Sequence, residues 1–263
     1  MYYSYIDAPD HFELEIIPPG VDGTSTLRIA AIRDPSLAKI PKGIVHDIVD
    51  SPYFMSFHED YAVLGIPAFI YTGTKAYKEF LAKFFSTLAE KRIDALILDL
   101  RGNYGGTPTH TAELFKYIID RPLPFFAKDN PIYLAPWKRP IQPSPLAFKG
   151  SLSVLMDEAA FSMNSFLLCV LKYNKIGTLV GAPSSGGHVC SDASKEVVLR
   201  NTGLRVTYST RIFTTAVDYQ ERGIGLSPDI RVDWTVEDYL AGRDPVMEAA
   251  LNTTKNVGSI AAH

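Results

Sequence analysis

The sequence predicts an α/β domain built on a mainly parallel sheet. The segment "DALILDL" at 94–100 is apolar throughout, which is typical of a strand buried on both faces of a sheet. The preceding segment, 74–91, spaces its apolar residues at i, i+3 and i+4, the pattern of a helix with one buried face. Strand and helix patterns alternate from there onward, and this order predicts parallel strands joined by right-handed crossovers.

The chain before this helix predicts strands and an irregular segment. Residues 12–17 and 24–32 alternate enough to be strands, and the turn-forming "PPGVDG" between them predicts a hairpin. Residues 34–57 hold three prolines and predict irregular structure, whereas "YAVLGIPAFI" at 61–70 predicts the next strand.

The elements after "DALILDL" follow in a regular order. A glycine-rich loop leads to a helix at 110–119, and 121–150, with seven prolines, predicts a long ordered loop or lid. The remaining elements are a strand at 152–157, a helix at 162–173, a strand at 176–182, a hairpin at 195–210 turning at 201–203, and a last strand and C-terminal helix within 227–251. We predict four regions: a hairpin at 1–35, a connector at 36–60, a core domain at 61–253 and a tail at 254–263.

The bulk composition excludes several classes of function. The 263 residues carry a net charge of −3, which favours neither nucleic acid nor an anionic membrane as a partner. No apolar run reaches the roughly 20 residues of a membrane span, and the first residues lack the pattern of a signal peptide. The spacings Cys-x-x-Cys and His-x-x-x-His are absent, so we predict no metal and no cofactor. The two cysteines differ, since Cys169 is predicted in a helix core and Cys190 in or next to a strand.

The loop "RGNYGG" follows a buried strand and has three glycines within five positions. Glycines let the backbone turn sharply, and their free N–H groups suit an anion or a developing oxyanion. The alternative is a tight turn stabilised by a structural contact between Asp99 and Arg101. The spacing alone leaves both interpretations open, but it differs from dinucleotide and P-loop fingerprints.

Ser162, in "DEAAFSMNSFLL", stands where a strand gives way to a helix. Its hydroxyl could cap that helix, which is the commoner use of a serine in this position. It could also be a nucleophile, because the N–H of Met163 would lie beside it at the positive end of the helix. Ser165, one turn later, is the better candidate for a structural hydroxyl.

Two further loops carry candidate catalytic groups. His188 follows the glycine turn in "VGAPSSGGHVC", and Glu221 precedes "RGIGLSPDIRV". A single histidine or glutamate in a loop is more often structural or solvated than catalytic. Each matters only if the fold brings it to Ser162.

Five motifs in order, "ILDLRGNYGG", "VLMDEAAFSMNS", "TLVGAPSSGG", "GIGLSPDIRV" and "GRDPVMEAAL", resemble the C-terminal processing (tail-specific) family of serine peptidases. The resemblance runs from about 61 to 251, and the segment 165–181 looks most like a branch found in Bacteroidetes-type bacteria. It implies a core related to the Clp proteases and crotonases. It also implies that the first hairpin resembles the end of a PDZ-like domain.

The resemblance assigns roles to single residues. It places Ser162 as the nucleophile, and the N–H of Met163 with that of Gly105 or Gly106 as the oxyanion hole. Much of the family uses a Ser–Lys dyad, but Gly187 takes the place of that lysine here. The nearby lysines, Lys172, Lys175 and Lys195, do not fit that turn.

A second branch of the family, which includes the tricorn core protease, pairs its serine with a histidine and a glutamate. Glu221 lies 59 residues after Ser162, close to where that branch places its glutamate. The branch takes its histidine from a region before the PDZ-like module, which we therefore expect upstream of this chain. His58 and His188 are the substitutes within the chain, whereas His11 is misplaced and His46 and His110 are predicted at the surface.

The resemblance implies a serine peptidase that acts on peptides or unfolded proteins, with export as the family's habit. One alternative is a catalytically silent module of the same fold that binds peptides or hydrophobic ligands. Another is a crotonase-type acyl-CoA enzyme, against which the ordered peptidase motifs argue.

Overall fold

A computed structural model describes residues 10–17, 20, 22–30, 53–70, 73–217 and 223–260, the last seven by their backbone alone. The chain divides into two compact units, Met1–Ile48 and Val49–His263. The described residues of the first unit form an antiparallel hairpin, in which β1 (His11–Ile16) pairs with β2 (Ser25–Ala30), as predicted. Its assignment to a PDZ-like domain stays a prediction.

The second unit contains the remaining elements. Its strands are β3 (Phe54–Phe57), β4 (Ala62–Gly65), β5 (Ala95–Asp99), β6 (Ser151–Met156), β7 (Thr178–Gly181), β8 (Val189–Asp192), β9 (Lys195–Val198), β10 (Arg205–Tyr208), β11 (Arg211–Thr214) and β12 (Ile230–Arg231). Its helices are α1 (Thr74–Glu90), α2 (Pro108–Ile118), α3 (Ala135–Lys138), α4 (Ser162–Tyr173), α5 (Val236–Ala241) and α6 (Pro245–Ile260), with a 3₁₀ turn at Ile132–Leu134 before α3.

A six-stranded sheet in the order β12-β7-β6-β5-β4-β3 forms the centre of the second unit. All neighbouring pairs are parallel except β3 with β4. The carboxyl ends of β5, β6 and β7 therefore lie along one edge of the sheet, where ligand sites of such folds form. The predicted α/β class with a mainly parallel sheet is confirmed.

Alternate residues of each strand point to opposite faces of this sheet, and both faces are covered by helices. On one face, Leu96, Leu98 and Val154 join a large cluster with the apolar sides of α1, α2 and α4. On the other face, Ile97, Leu155 and neighbouring strand residues pack against α6. This two-sided burial explains why "DALILDL" is apolar throughout.

The structure departs from the predicted elements in three places. Residues 54–57, expected to be irregular and within the connector, form β3 because they pair with β4 at the sheet edge. The helix α6 continues to Ile260, into the segment predicted as a tail. The antiparallel pairing of β8 with β11 was not predicted, since the two strands enclose the β9–β10 hairpin and are distant in sequence.

The proline-rich segment 121–150 is ordered and attached to the body of the domain. It contains the 3₁₀ turn and α3, and its Phe125 and Phe126 are buried in the core. A bridge between Leu123 and Ile141 closes it near its base. Within the described residues, no helix is long and apolar enough to cross a membrane.

Candidate active site

The glycine turn after β5 is shaped by the buried side chain of Asn103. Its Nδ2 donates to the carbonyl of Ile66 over 2.7 Å, and its Oδ1 accepts from the N–H of Gly105 over 2.7 Å. The N–H of Gly105 is therefore occupied, which corrects its assignment to the oxyanion hole. Among the bonds of the described residues, none uses the N–H of Gly106, which remains the candidate donor from this turn.

The charged side chains of Asp99 and Arg101, at the end of β5, stabilise the glycine turn that follows them. The guanidinium of Arg101 binds Asp99 at 2.7 Å and Asp244, just before α6, at 2.9 Å. Burial lowers the pKa of Arg101, but its hydrogen bonds to Asp99 and the charges of both carboxylates outweigh burial and raise the pKa overall. The predicted structural contact between Asp99 and Arg101 is confirmed, and it supports the glycine turn that it precedes.

Asp157 links the glycine turn to the loop that carries Ser162. Its carboxylate accepts from the N–H of Gly102 at 2.8 Å and from that of Ala159 at 3.1 Å. Burial raises the pKa of this carboxyl, while the two N–H donors partly oppose the rise. The carboxylate of Asp157 thus joins the loops after β5 and β6, although its burial disfavours the charged form.

Ser162 is the first residue of α4, and it does not cap the helix. The N-cap position belongs to Phe161, which has extended backbone and makes no side-chain capping bond. The backbone of Ser162 has φ 52°, in the left-handed region that residues other than glycine rarely adopt. Such strain persists only where the surroundings impose it, and it clusters at functional sites. The interpretation of Ser162 as an ordinary helix cap is wrong.

The glycine turn lies directly against the start of α4. A Cβ built on Gly105 would be 2.7 Å from the N of Met163 and 2.9 Å from the Cβ of Ser162. Only a residue without a side chain allows this approach. Among the bonds of the described residues, none uses the N–H of Met163. The turn and the first residues of α4 are therefore in direct contact.

The buried Asn164 holds the two segments in this arrangement. Its Nδ2 donates to the carbonyls of Leu100, at 3.2 Å, and Asn103, at 2.9 Å, while its Oδ1 has no partner among the described residues. Sequence reasoning missed both Asn103 and Asn164. The available signal was an asparagine in a glycine turn and another in the first turn of an otherwise apolar helix.

Ser165 has the structural role predicted for it. Its hydroxyl contacts the carbonyl of Ser162 at 2.8 Å and that of Gly187 at 3.2 Å. It thereby fixes the loop after β7 against the start of α4. The N–H of Gly186 adds a bond of 3.0 Å to the carbonyl of Ala160 in the same contact.

His188 follows this contact directly and is buried, with 5% of its surface exposed. Its carbonyl accepts from the N–H of Thr215 at 3.0 Å, which joins the loop after β7 to the end of β11. The fold therefore brings the segment containing His188 to the end of α4 that carries Ser162.

The sheet topology separates His58 from Ser162. His58 precedes β4, at the amino edge of the parallel strands, where its Nε2 lies 3.1 Å from the hydroxyl of Ser56 and its ring stacks on Tyr61. Ser162 lies past the opposite edge, beyond the roughly 13 Å length of a four-residue strand. Glu221 and His46 lie outside the described residues.

The other basic groups of interest are engaged elsewhere. His110, predicted at the surface, is buried at the start of α2, with its Nδ1 2.6 Å from the hydroxyl of Thr107. Lys172 lies in the last turn of α4 and binds Asp229 at 3.1 Å and the carbonyl of Ser227 at 2.7 Å. Its position, about 15 Å along the helix from Ser162, does not allow it to act as the base.

A cavity of about 260 Å³ opens beside Ser162. Ser162, Met163 and Gly106 line one side of it, and the other walls are mainly apolar. These walls consist of Pro108, Phe126, Tyr133, Leu134, Phe166, Cys190, Asp192, Ala193 and Phe213. In the described part of the chain, no group of three or more His, Cys, Asp or Glu side chains could hold a metal ion.

Comparisons with known proteins identify the family and the fold. The model of Peptidase family S41 matches residues 60–232. A Tricorn-like protease C-terminal subunit of Sulfurisphaera tokodaii is 25% identical over 187 residues, which cover 71% of this chain but 20% of that protein.

Two solved structures show the same fold. A peptidase from Parabacteroides merdae has a TM-score of 0.57 at 21% identity, with 77% of this chain and 63% of that one covered. Mature CPAF in complex with lactacystin has a TM-score of 0.64 at 17% identity, with 95% and 68% covered. The chain thus spans one fifth of the Tricorn-like relative and less than two thirds of the Parabacteroides structure.

Proposed function

Because the chain belongs to peptidase family S41, we propose that it is a serine peptidase whose nucleophile is Ser162. The observation that carries this proposal is the strained backbone of Ser162, with φ 52°, at the start of α4 and beside an apolar cavity. A nucleophile on a strained turn presents its hydroxyl to the substrate, whereas an ordinary helix residue gains nothing from this conformation.

The proposed reaction is an acyl transfer in two stages. The Oγ of Ser162 bonds to the carbonyl carbon of a peptide and gives its proton to a base, while the carbonyl oxygen becomes an oxyanion. In this proposal the N–H groups of Gly106 and Met163 bind that oxyanion at the positive end of α4. The base then gives the proton to the amine as the peptide C–N bond breaks, which leaves an ester on Ser162. Water, which gives its proton to the same base, attacks the ester carbonyl, and the base returns the proton to the Oγ of Ser162 as the acid leaves.

We further propose that the base is a histidine oriented by Glu221. Gly187 stands where the lysine of a Ser–Lys dyad would be, so the base must be another residue. A histidine base requires an acid to fix its orientation. Among the described histidines, His188 belongs to the loop that contacts the start of α4. A histidine from another part of the protein is the competing source.

A fluorophosphonate probe tests the nucleophile. We expect wild-type protein to be labelled at Ser162, Ser162→Ala to lose the label, and Ser165→Ala to keep it, because the hydroxyl of Ser165 contacts only the backbone carbonyls of Ser162 and Gly187. Labelling that persists in Ser162→Ala would contradict the assignment. An unlabelled but folded wild-type protein would favour a silent binding module.

The same probe identifies the base through chemical rescue. If His188 is the base, His188→Ala and Glu221→Gln should slow labelling by at least about 100-fold, and added imidazole should restore His188→Ala. If the base is a histidine from another part of the protein, His188→Ala should change the labelling rate little. Added imidazole should then accelerate the labelling of the wild-type chain. Normal labelling of Glu221→Gln would remove Glu221 from the mechanism.

A further inference from the structure

We propose that the cavity beside Ser162 selects peptides with a large apolar or aromatic side chain on the residue whose carbonyl is attacked. This inference rests on the proposed function, because Ser162 and the two N–H donors define which carbonyl is attacked. Gly106, Ser162 and Met163 line the same cavity, so a carbonyl held by them starts its side chain at the cavity mouth.

The size and chemistry of the cavity determine the class of side chain. Its volume of about 260 Å³ exceeds the roughly 150 Å³ at which an apolar protein cavity accepts benzene. Phe126, Phe166 and Phe213 line its walls, so an aromatic ring would bury its surface without losing hydrogen bonds. A small side chain would leave this apolar surface unfilled.

The outer wall of the cavity is fixed by Asn130, which joins the proline-rich segment to β11. Its Nδ2 donates to the carbonyl of Thr214 at 2.7 Å, and its Oδ1 accepts from the N–H of Thr214 at 3.0 Å. A bridge between Phe126 and Thr215 and the ring contact of Tyr133 with Phe213 continue the attachment. The wall is therefore formed before the substrate binds, which reduces the entropy cost of binding.

Cys190 and Asp192, both in β8, line another part of the cavity wall and affect which side chains it accepts. Cys190 pairs with Phe213 across the strands, and Asp192 lies two residues further on the same face. Burial raises the pKa of the Cys190 thiol, so this part of the wall is uncharged near neutral pH. Asp192 is exposed and carries the single carboxylate among the lining residues, so it disfavours acidic side chains.

The first test measures the affinity of product-type peptides, dansyl-Gly-Gly-X, with X as Phe, Leu, Ala or Asp. We expect Phe and Leu to bind at least about tenfold more tightly than Ala, and Asp to bind most weakly. Cys190→Trp should fill the cavity and reduce the Phe to Ala ratio to near one. The matched control, Val198→Trp, adds the same ring at an exposed strand residue that does not line the cavity, so it should preserve the ratio.

A chemical version uses wild-type protein and so does not depend on the folding of Cys190→Trp. Cys169 is 2% exposed and its burial raises its pKa to about 12, so thiosulfonate reagents should reach Cys190 first. Benzyl modification should abolish the preference for Phe, methyl modification should change it little, and reductant should restore it. Cys190→Ser should be insensitive to both reagents.

The fluorophosphonate probe separates the two proposals, because a small ethyl probe reports on Ser162 without entering the cavity. Labelled protein that shows equal affinity for Phe and Ala peptides would overturn the selectivity inference alone. A Phe preference that benzyl modification and Cys190→Trp, once shown to be folded, both leave intact would also overturn it. If Ser162 is not labelled but the preference for Phe still disappears on modification of Cys190, the result would support the pocket and contradict the peptidase function.

Discussion

Gly105 and Met163 approach each other so closely that a Cβ on the glycine would lie 2.7 Å from the backbone nitrogen of Met163. This contact joins the turn after β5 to the start of α4, and it brings together the two segments that would bind an oxyanion. Their separation in the chain is nearly 60 residues, so the sheet, rather than local sequence, sets their distance.

Gly105→Ala tests this contact. The added Cβ would clash with the backbone of Met163, and alanine would be strained at a φ of 105°. We therefore expect a destabilisation of about 2–4 kcal/mol and a loss of Ser162 labelling. Gly102→Ala is the matched control, since Gly102 has φ 70° but open space around its Cβ position. It should lose about 1 kcal/mol and keep labelling, as measured by urea unfolding and the probe. Equal effects of the two substitutions would contradict the role of the contact.

The backbone of Ser162 makes an unusual prediction about stability. Because its φ is positive, Ser162→Gly should be more stable than Ser162→Ala by about 1 kcal/mol. The order should reverse at Ser165, within α4, where alanine is the better helix former by a similar amount. Thermal unfolding of the four variants gives both comparisons. A Ser162→Ala variant as stable as Ser162→Gly would show that the strain is absent in solution.

The buried ion pairs of Arg101 predict a large loss of stability on truncation. Arg101→Ala would leave the carboxylate of Asp99, 6% exposed, without its cation, and we expect a loss of about 3–5 kcal/mol. Arg205→Ala removes an exposed pair with Glu196 and should change the free energy of unfolding by less than about 1 kcal/mol. Denaturant unfolding of both variants measures the difference. A small effect at Arg101 would mean that water reaches Asp99.

Asp157 predicts a specific dependence of stability on pH. Folding raises the pKa of its carboxyl, chiefly by burial, so the folded protein binds this proton more tightly than the unfolded chain. Its contribution to stability is therefore fully present below the unfolded pKa and is lost as the pH rises through the folded pKa. Asp157→Asn lacks this loss, so its stability relative to wild type should increase as the pH rises from acid toward neutral.

Urea unfolding over a pH series measures the effect of Asp157→Asn. Glu158→Gln removes one exposed negative charge from the next residue and is the matched control, for which we expect a much smaller change with pH. A constant difference between Asp157→Asn and wild type across the series would show that folding does not raise the pKa of Asp157.

The elements of the second unit were largely predictable, because periodicity within a short window reports which faces are buried. The helix at 74–91 and the strand "DALILDL" occur where their apolar spacing places them. The pairing of β3 and that of β8 with β11 were not predictable, since such short strands depend on partners supplied by the fold. The motif resemblance, rather than periodicity, indicated the family.

The candidate site shows the same division. A glycine turn and a serine, each after a buried strand, were predictable from the apolar runs of the sequence. In a parallel sheet the loops that follow the strands lie at the same edge, so these two loops were expected to be neighbours. Three features became visible in the folded chain alone: Gly105 gives its N–H to Asn103, Ser162 has a left-handed backbone rather than a capping role, and His58 lies at the far edge of the sheet. These outcomes depend on hydrogen bonds and close contacts between residues distant in sequence, which residue type and spacing do not encode.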